Sequence, residues 1–181
     1  MLPDVLIKKY LRQKKIIIRP APKAGDFKSV GVKIHLGKDL LLPQGGQLID
    51  LSRDKPPKFK KVQIGRVGYV LKPGVFILGT TKETYQVKRN LAGLIYGRST
   101  LARLGLTIHG TSCVVEGNND HSGSITLEIK NQGPYKLLLK AGMSVGMLVF
   151  FELKAPVNKN QRFHYQGQIS TMSPDLKALR D

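Results

Sequence analysis

Apolar and polar positions alternate in short stretches along most of the chain, and turn-forming residues separate the stretches. Val30, Val32, Ile34 and Leu36 alternate with Gly31, Lys33 and His35, and Gly37 closes the run. This is the period-two pattern of a strand with one buried face. Leu40–Leu42 and Gln47–Leu51 flank a Pro43–Gly46 turn, Tyr69–Leu71 stops at Lys72-Pro73-Gly74, Val75–Leu78 follows, and Ala141-Gly142 precedes an apolar run over Val145–Phe151. Ile16–Arg19 reads as a further strand, stopped by Pro20 and Pro22. Leu2–Lys15 has helical spacing instead: Leu2, Val5, Leu6 and Leu11 make an apolar stripe, and basic residues fill the other faces. Asp4 lies near its start, where an acid complements the helix dipole. Many short strands with few helices predict a mainly β fold, a sandwich or a distorted, jelly-roll-like barrel, with a short N-terminal helix.

Size and composition narrow the reading. The 181 residues, 41% of them hydrophobic, suit one domain over 1–181 with a real core. Charges throughout residues 1–20 argue against a secretory leader, and no run reaches the length of a membrane span, so no membrane partner is expected. Cys113 is the single cysteine, which excludes an intrachain disulfide and suits a reducing, cytoplasmic setting. Thirty Lys and Arg against twelve Asp and Glu leave a formal charge of +18, which favours anionic partners. The charge admits nucleic acid as a partner, but the basic residues are dispersed, which disfavours that reading. The densest cluster, Lys55–Lys61, holds two prolines and reads as an exposed loop. The polar tail beyond Gln166, with Gly167 and Pro174, reads as mobile.

Candidate chemistry is found first by exclusion. One cysteine and four scattered histidines (35, 109, 121 and 164) cannot supply the ligands of a zinc hydrolase or deaminase. No G-x-S-x-G elbow, Walker A lysine motif or strand-to-helix G-x-G-x-x-G is present. What remains is Gly97–Leu106, GRSTLARLGL. Gly97 permits an unusual backbone angle or a close approach. Arg98 and Arg103 bring guanidinium forks that match phosphate oxygens, Ser99 and Thr100 add hydroxyl donors, and Ser99 and Arg103 share one face of a helical turn. A surface helix capped by Ser99 or Thr100, its arginines in solvent, explains the same residues equally well. Glu116, Asp120 and Glu128 follow closely. In Ile125–Ile129 the apolar residues alternate toward the core, so Glu128 faces the other way with Thr126 and Lys130, either into solvent or into a cleft where it takes a proton from water.

GRSTLARLGLTIHGTS, residues 97–112, closely resembles the signature of dCTP deaminases, in the superfamily shared with trimeric dUTPases. Ser124–Asn131 is similar to the family's strand bearing the catalytic glutamate, and Lys140–Phe151 to the segment after it. Ser29–Gly37, Val70–Thr80 and the Tyr165–Gln168 start of a C-terminal lid (about 160–181) extend the similarity over most of the chain. The resemblance implies a distorted β-barrel in a homotrimer, with active sites at subunit interfaces and a magnesium-bound deoxynucleoside triphosphate, dCTP or dUTP, as substrate. By position, Glu128 is the implied general base. The resemblance likewise implies that Ser99 holds the reacting water, that Arg98, Ser99, Thr100 and Arg103 bind phosphates or order the site, and that Gln168 reaches the triphosphate. Ser112 stands where alanine is usual. The implied reaction is zinc-independent deamination of dCTP to dUTP and ammonia, with no metal held by protein residues and magnesium carried by the triphosphate. Residues 113–123 depart from the family pattern: the run is about two residues longer, no aromatic is present, and Glu116 or Asp120 replaces the usual aspartate. A dUTPase, a bifunctional enzyme forming dUMP and a non-catalytic nucleotide-binding relative are the alternatives, and the altered loop argues against a standard dUTPase because the resemblance places the dUTPase water-activating acid there.

Overall fold

The computed structural model describes all residues except 54, 117, 159–164, 166 and 180–181, with only the backbone of 118–122. Chain order runs α1 (Asp4–Arg12), β1 (Ile16–Arg19), β2 (Phe27–Lys28), β3 (Gly31–His35), β4 (Asp39–Pro43), β5 (Phe59–Gln63), β6 (Tyr69–Leu71), β7 (Phe76–Thr80), β8 (Thr84–Val87), β9 (Leu91–Gly97), α2 (Ser99–Arg103), β10 (Leu106–Thr107), β11 (Val114–Val115), β12 (Asn118–Gly123), β13 (Thr126–Asn131), β14 (Leu137–Leu139) and β15 (Ser144–Glu152). Two five-stranded antiparallel sheets dominate, β10-β13-β7-β4-β5 and β11-β9-β15-β3-β2, beside a three-stranded sheet β1-β8-β12 and the pair β14-β6. The fold is mainly β, as the alternation predicts; among the described residues the two large sheets are linked by an isolated antiparallel bridge, Leu36 to Thr81, and do not close into a barrel.

The two large sheets share one core. Val32, Ile34, Ile95, Leu148 and Phe150 enter it from one sheet, and Leu40, Ile77, Leu127 and Ile129 from the other. β15 pairs with β9 on one side and β3 on the other, and its nearly unbroken apolar run suits a central strand covered on both faces. Gly146 lies where a Cβ would fall 2.5 Å from Ile108 Cδ1 and 2.6 Å from the Tyr96 carbonyl oxygen, so only glycine lets these layers approach.

Several elements differ from the sequence reading for identifiable reasons. The N-terminal helix is shorter, Asp4–Arg12, and its buried face is Ile7 and Tyr10 with Leu2 just ahead of it; Val5 is 64% exposed. Ile7, Tyr10 and Leu11 sit at i, i+3 and i+4, and that stripe faces the sheet. The Tyr10 hydroxyl also donates to the Glu152 carboxylate, which ties the helix to the end of β15. Gln47–Leu51 is not a strand, and Leu48 is 98% exposed. The return strand of β4 is β5, which begins within the lysine-rich stretch read as a loop, with Leu40 opposite Val62 and Pro43 opposite Phe59. Lysines on this edge strand fit the usual protection of an open sheet edge. Residues 118–123 form β12, which places the backbone of His121 in a strand. The five steps from Asn118 to Gly123 lie against the two from Val87 to Tyr85, and this bulge accommodates the extra length of the region.

A buried polar cluster joins β3 to β8. Glu83 is 6% exposed; its Oε1 lies 2.6 Å from His35 Nδ1, and its Oε2 accepts the His35 backbone N–H at 3.0 Å and the Tyr85 hydroxyl at 3.2 Å. Burial, and then the Glu83 carboxylate, hold the Tyr85 hydroxyl well above its ordinary pKa. Removing the carboxylate strands three polar partners. Glu83→Ala is expected to cost about 3 kcal/mol and to lower the melting temperature by roughly 6–12 °C. Calorimetric unfolding checks this, and an unchanged melting temperature would contradict it.

Candidate active site

Glu128 lies on β13, which pairs with β10 on one side and β7 on the other. Leu127 and Ile129 are buried in the core, so Thr126, Glu128 and Lys130 take the opposite face, as the alternation predicts. That face opens into a cavity of about 490 Å³, with Ser112, Thr126, Glu128 and Gln168 among its polar lining and Leu78, Ile95, Val114 and Met172 among its apolar lining. Among the described residues, no lysine or arginine lines it. The Gly110 backbone N–H donates to Glu128 Oε2 at 2.6 Å.

The tail forms one wall of this cavity. Gln168 is 5% exposed, and its side-chain Nε2 donates to Thr126 Oγ1 at 2.6 Å. Its carbonyl accepts the Ser124 N–H at 2.7 Å and the Ser124 hydroxyl at 3.2 Å. Further along, Thr171 Oγ1 donates to the Asp39 carbonyl at 2.9 Å, and Leu176 is buried. The described part of the tail therefore docks on its own chain. Part of the 160–181 stretch read as a lid, residues 160–164, 166 and 180–181, lies outside the described residues.

The arginine segment sits elsewhere on the surface. α2 spans Ser99–Arg103, with Arg98 as its N-cap in an extended conformation and without a side-chain cap bond. Ser99 and Thr100 are thus inside the first turn and do not cap it. Leu101 packs against the core and holds the helix in place. Arg98, Ser99, Thr100 and Arg103 are all exposed; Arg98 Nη1 donates to the Ser144 carbonyl at 3.4 Å. Gly97 does not use the left-handed backbone freedom that glycine permits, and a Cβ there would meet nothing among the described residues within 4 Å beyond its chain neighbours.

The chain therefore brings Glu128, Ser112 and Gln168 to a single cavity, and leaves Arg98, Ser99, Thr100, Arg103 and Glu116 outside its lining. Glu116 is exposed after β11, and desolvation raises its carboxyl pKa above the ordinary value. Gly110 and Thr126 enter the site as direct contacts of Glu128 and Gln168. Thr126 is legible from its place on the Glu128 face, whereas a backbone N–H such as that of Gly110 has no side-chain signature. Among the described residues, no three His, Cys, Asp or Glu side chains cluster to hold a metal ion.

Comparison with known proteins bears on the family and the fold. Residues 1–153 match the family model of dCTP deaminase-like proteins. The chain is 31% identical over 192 residues to dCTP deaminase of Idiomarina loihiensis, covering 98% of this chain and 97% of that protein. It is 33% identical over 183 residues to a dUMP-forming dCTP deaminase of Persephonella marina, covering 100% and 99%. Among solved structures, 2'-deoxycytidine 5'-triphosphate deaminase from Agrobacterium tumefaciens aligns with a TM-score of 0.64 at 14% identity over 82% of this chain. This chain covers 47% of that one, about half its length. A mutant dUTPase from phage phi11 of S. aureus, whose structure has a structural Mg(II) ion, aligns with a TM-score of 0.51 at 13% identity, over 82% of this chain and 98% of its own. At such identities the two structures speak for the shared fold alone. The family match over 153 residues and the relatives above 30% identity along nearly every residue lead to one conclusion: the chain belongs to the dCTP deaminase-like family.

Proposed function

We propose that this protein hydrolyses the exocyclic amine of dCTP, forming dUTP and ammonia, with Glu128 as general base. The observation that carries the reading is a carboxylate on a central strand, facing a cavity and held at one oxygen by a backbone N–H. A water oxygen attacks C4 of the cytosine ring while its proton passes to Glu128. The carboxyl returns that proton to N3. It then takes the second proton of the added oxygen and delivers it to the amine. The C4–N4 bond breaks, ammonia leaves and the C4 carbonyl remains. Ser99 holds the water, and Ser112 lies beside the reacting centre. Magnesium enters as part of the triphosphate substrate and neutralises its charge.

Arg98, Ser99, Thr100 and Arg103 form an exposed anion-binding half, and the Glu128 cavity forms the other. A homotrimer in which the arginine helix of one copy meets the cavity of the next joins the two, consistent with symmetric assembly. The open space over Gly97 suits close approach of a ligand to the protein backbone. The tail from about residue 160 acts as the lid and brings Gln168 to the triphosphate. The enzyme is cytoplasmic in this reading.

A second reading, conversion of dCTP through to dUMP, is favoured by the dUMP-forming relative matched over the whole chain. Incubation with Mg–dCTP and then Mg–dUTP, following ammonia and pyrophosphate separately, decides between them. Ammonia alone identifies a deaminase. Ammonia together with pyrophosphate identifies the dUMP-forming enzyme. Pyrophosphate from dUTP without ammonia from dCTP identifies a dUTPase. Neither product would contradict catalysis and leave a nucleotide-binding protein.

A further inference from the structure

We infer that Gly110 is a positioning residue that selects which oxygen of Glu128 performs the proton transfer. The inference rests on the reading of Glu128 as the base. Among the described residues, the Gly110 N–H at 2.6 Å from Oε2 is the hydrogen bond this carboxylate receives, and Oε1 receives none. A carboxylate turns readily about its last torsion, which has two broad, equivalent wells, so an unheld glutamate presents either oxygen in a range of directions. A charge-assisted bond from a backbone amide removes that freedom. The donor does not titrate, so it cannot exchange its proton with the substrate. Oε2 is the held oxygen, and Oε1 is left facing the cavity chemistry to receive the proton from water.

The residue at 110 is suited to this task because it has no side chain. A Cβ added there would stand 3.0 Å from Glu128 Oε2 and 3.9 Å from its carboxyl carbon, and among the described residues it would meet nothing else within 4 Å beyond its chain neighbours. The backbone of Gly110 is not in the left-handed region, so alanine is conformationally acceptable. An added methyl therefore presses on the end of one flexible side chain and on nothing that holds the fold together. The substitution separates placement of the carboxylate from stability of the protein.

The test is Gly110→Ala in the full-length protein, read by kcat and KM for dCTP in the ammonia assay and by thermal unfolding. A shift of a few tenths of an ångström in the carboxylate is expected to lower kcat about tenfold, with KM within about twofold and the melting temperature unchanged. Glu128→Asp withdraws the carboxylate by one methylene, and on that background Gly110→Ala is expected to have no further effect, since directly contacting pairs are non-additive. A wild-type kcat in Gly110→Ala overturns the inference. So does an equal fall on both backgrounds, which would mark a general structural effect. Glu128→Gln run alongside separates the two levels. If it is inactive while Gly110→Ala is unimpaired, only the positioning role fails; if it keeps the wild-type rate, the reading of Glu128 as base fails and takes the inference with it.

Discussion

Replacing Glu128 with glutamine is expected to slow ammonia release by about 10²–10⁴-fold while dCTP binding persists. The substitution is isosteric. The amide oxygen of glutamine can still accept the Gly110 N–H, so the side chain keeps its place on β13 and the cavity its shape. What it loses is the capacity to take a proton from water and return it to the ring. Single-turnover ammonia release at saturating dCTP reports the chemical step, and calorimetric titration with dCTP reports binding. Loss of binding in parallel with the rate would assign Glu128 to substrate recognition; an undiminished rate would remove it from the mechanism.

Arg103→Ala is expected to lower kcat/KM for dCTP by roughly 10–100-fold, the loss of one charge-assisted contact to a triphosphate worth about 1.5–3 kcal/mol. Arg103 lies in the last turn of an exposed helix and makes no salt bridge among the described residues. Its removal is therefore expected to leave protomer stability within about 0.5 kcal/mol of wild type. Lys60→Ala is the matched control: it removes one positive charge from an edge strand outside either half of the proposed site. Equal losses for the two substitutions would mean that the general positive field, and not a phosphate contact, supports activity. The +18 charge makes that control necessary.

The parts of the fold legible in the sequence are those where burial imposes a short period. The alternation through Val32, Ile34 and Leu36, and again through Leu127 and Ile129, identifies two strands and correctly turns Glu128 away from the core. The period-two signal fails in the hairpin after β4. Leu48 and Leu51 look like a return strand but are solvent-exposed, whereas the true partner shows only Phe59 and Val62 among lysines and glutamine. An edge strand needs few apolar residues, so its pattern is weak. The N-terminal helix is recognisable, but its stripe is misassigned to Val5, because only the docking of Ile7 and Tyr10 shows which face turns inward.

The site divides in the same way. Side-chain identity marks Arg98, Ser99, Arg103 and Glu128, and the family resemblance supplies their roles. Composition leaves the arginine segment level with an ordinary surface helix, and the exposed α2 of a single protomer is compatible with both. Gly110 and the carbonyl of Gln168 act through backbone atoms, which every residue carries, and so leave no trace in the sequence. The excess length of residues 113–123 is visible in the sequence, but its resolution as a bulge in β12 against β8 follows from strand pairing across distant residues.

The central claim is that the Glu128 cavity and the Arg98–Arg103 helix are halves of one site, contributed by different copies of the chain. Subunit mixing tests it most directly. Glu128→Gln and Arg103→Ala subunits, each weakly active alone, are unfolded together in equal amounts, refolded and assayed for ammonia release from Mg–dCTP. In a shared-site trimer, about a quarter of the interfaces pair an intact Glu128 with an intact Arg103, so about a quarter of wild-type activity is expected. Activity no higher than the average of the two parent variants would contradict the shared site.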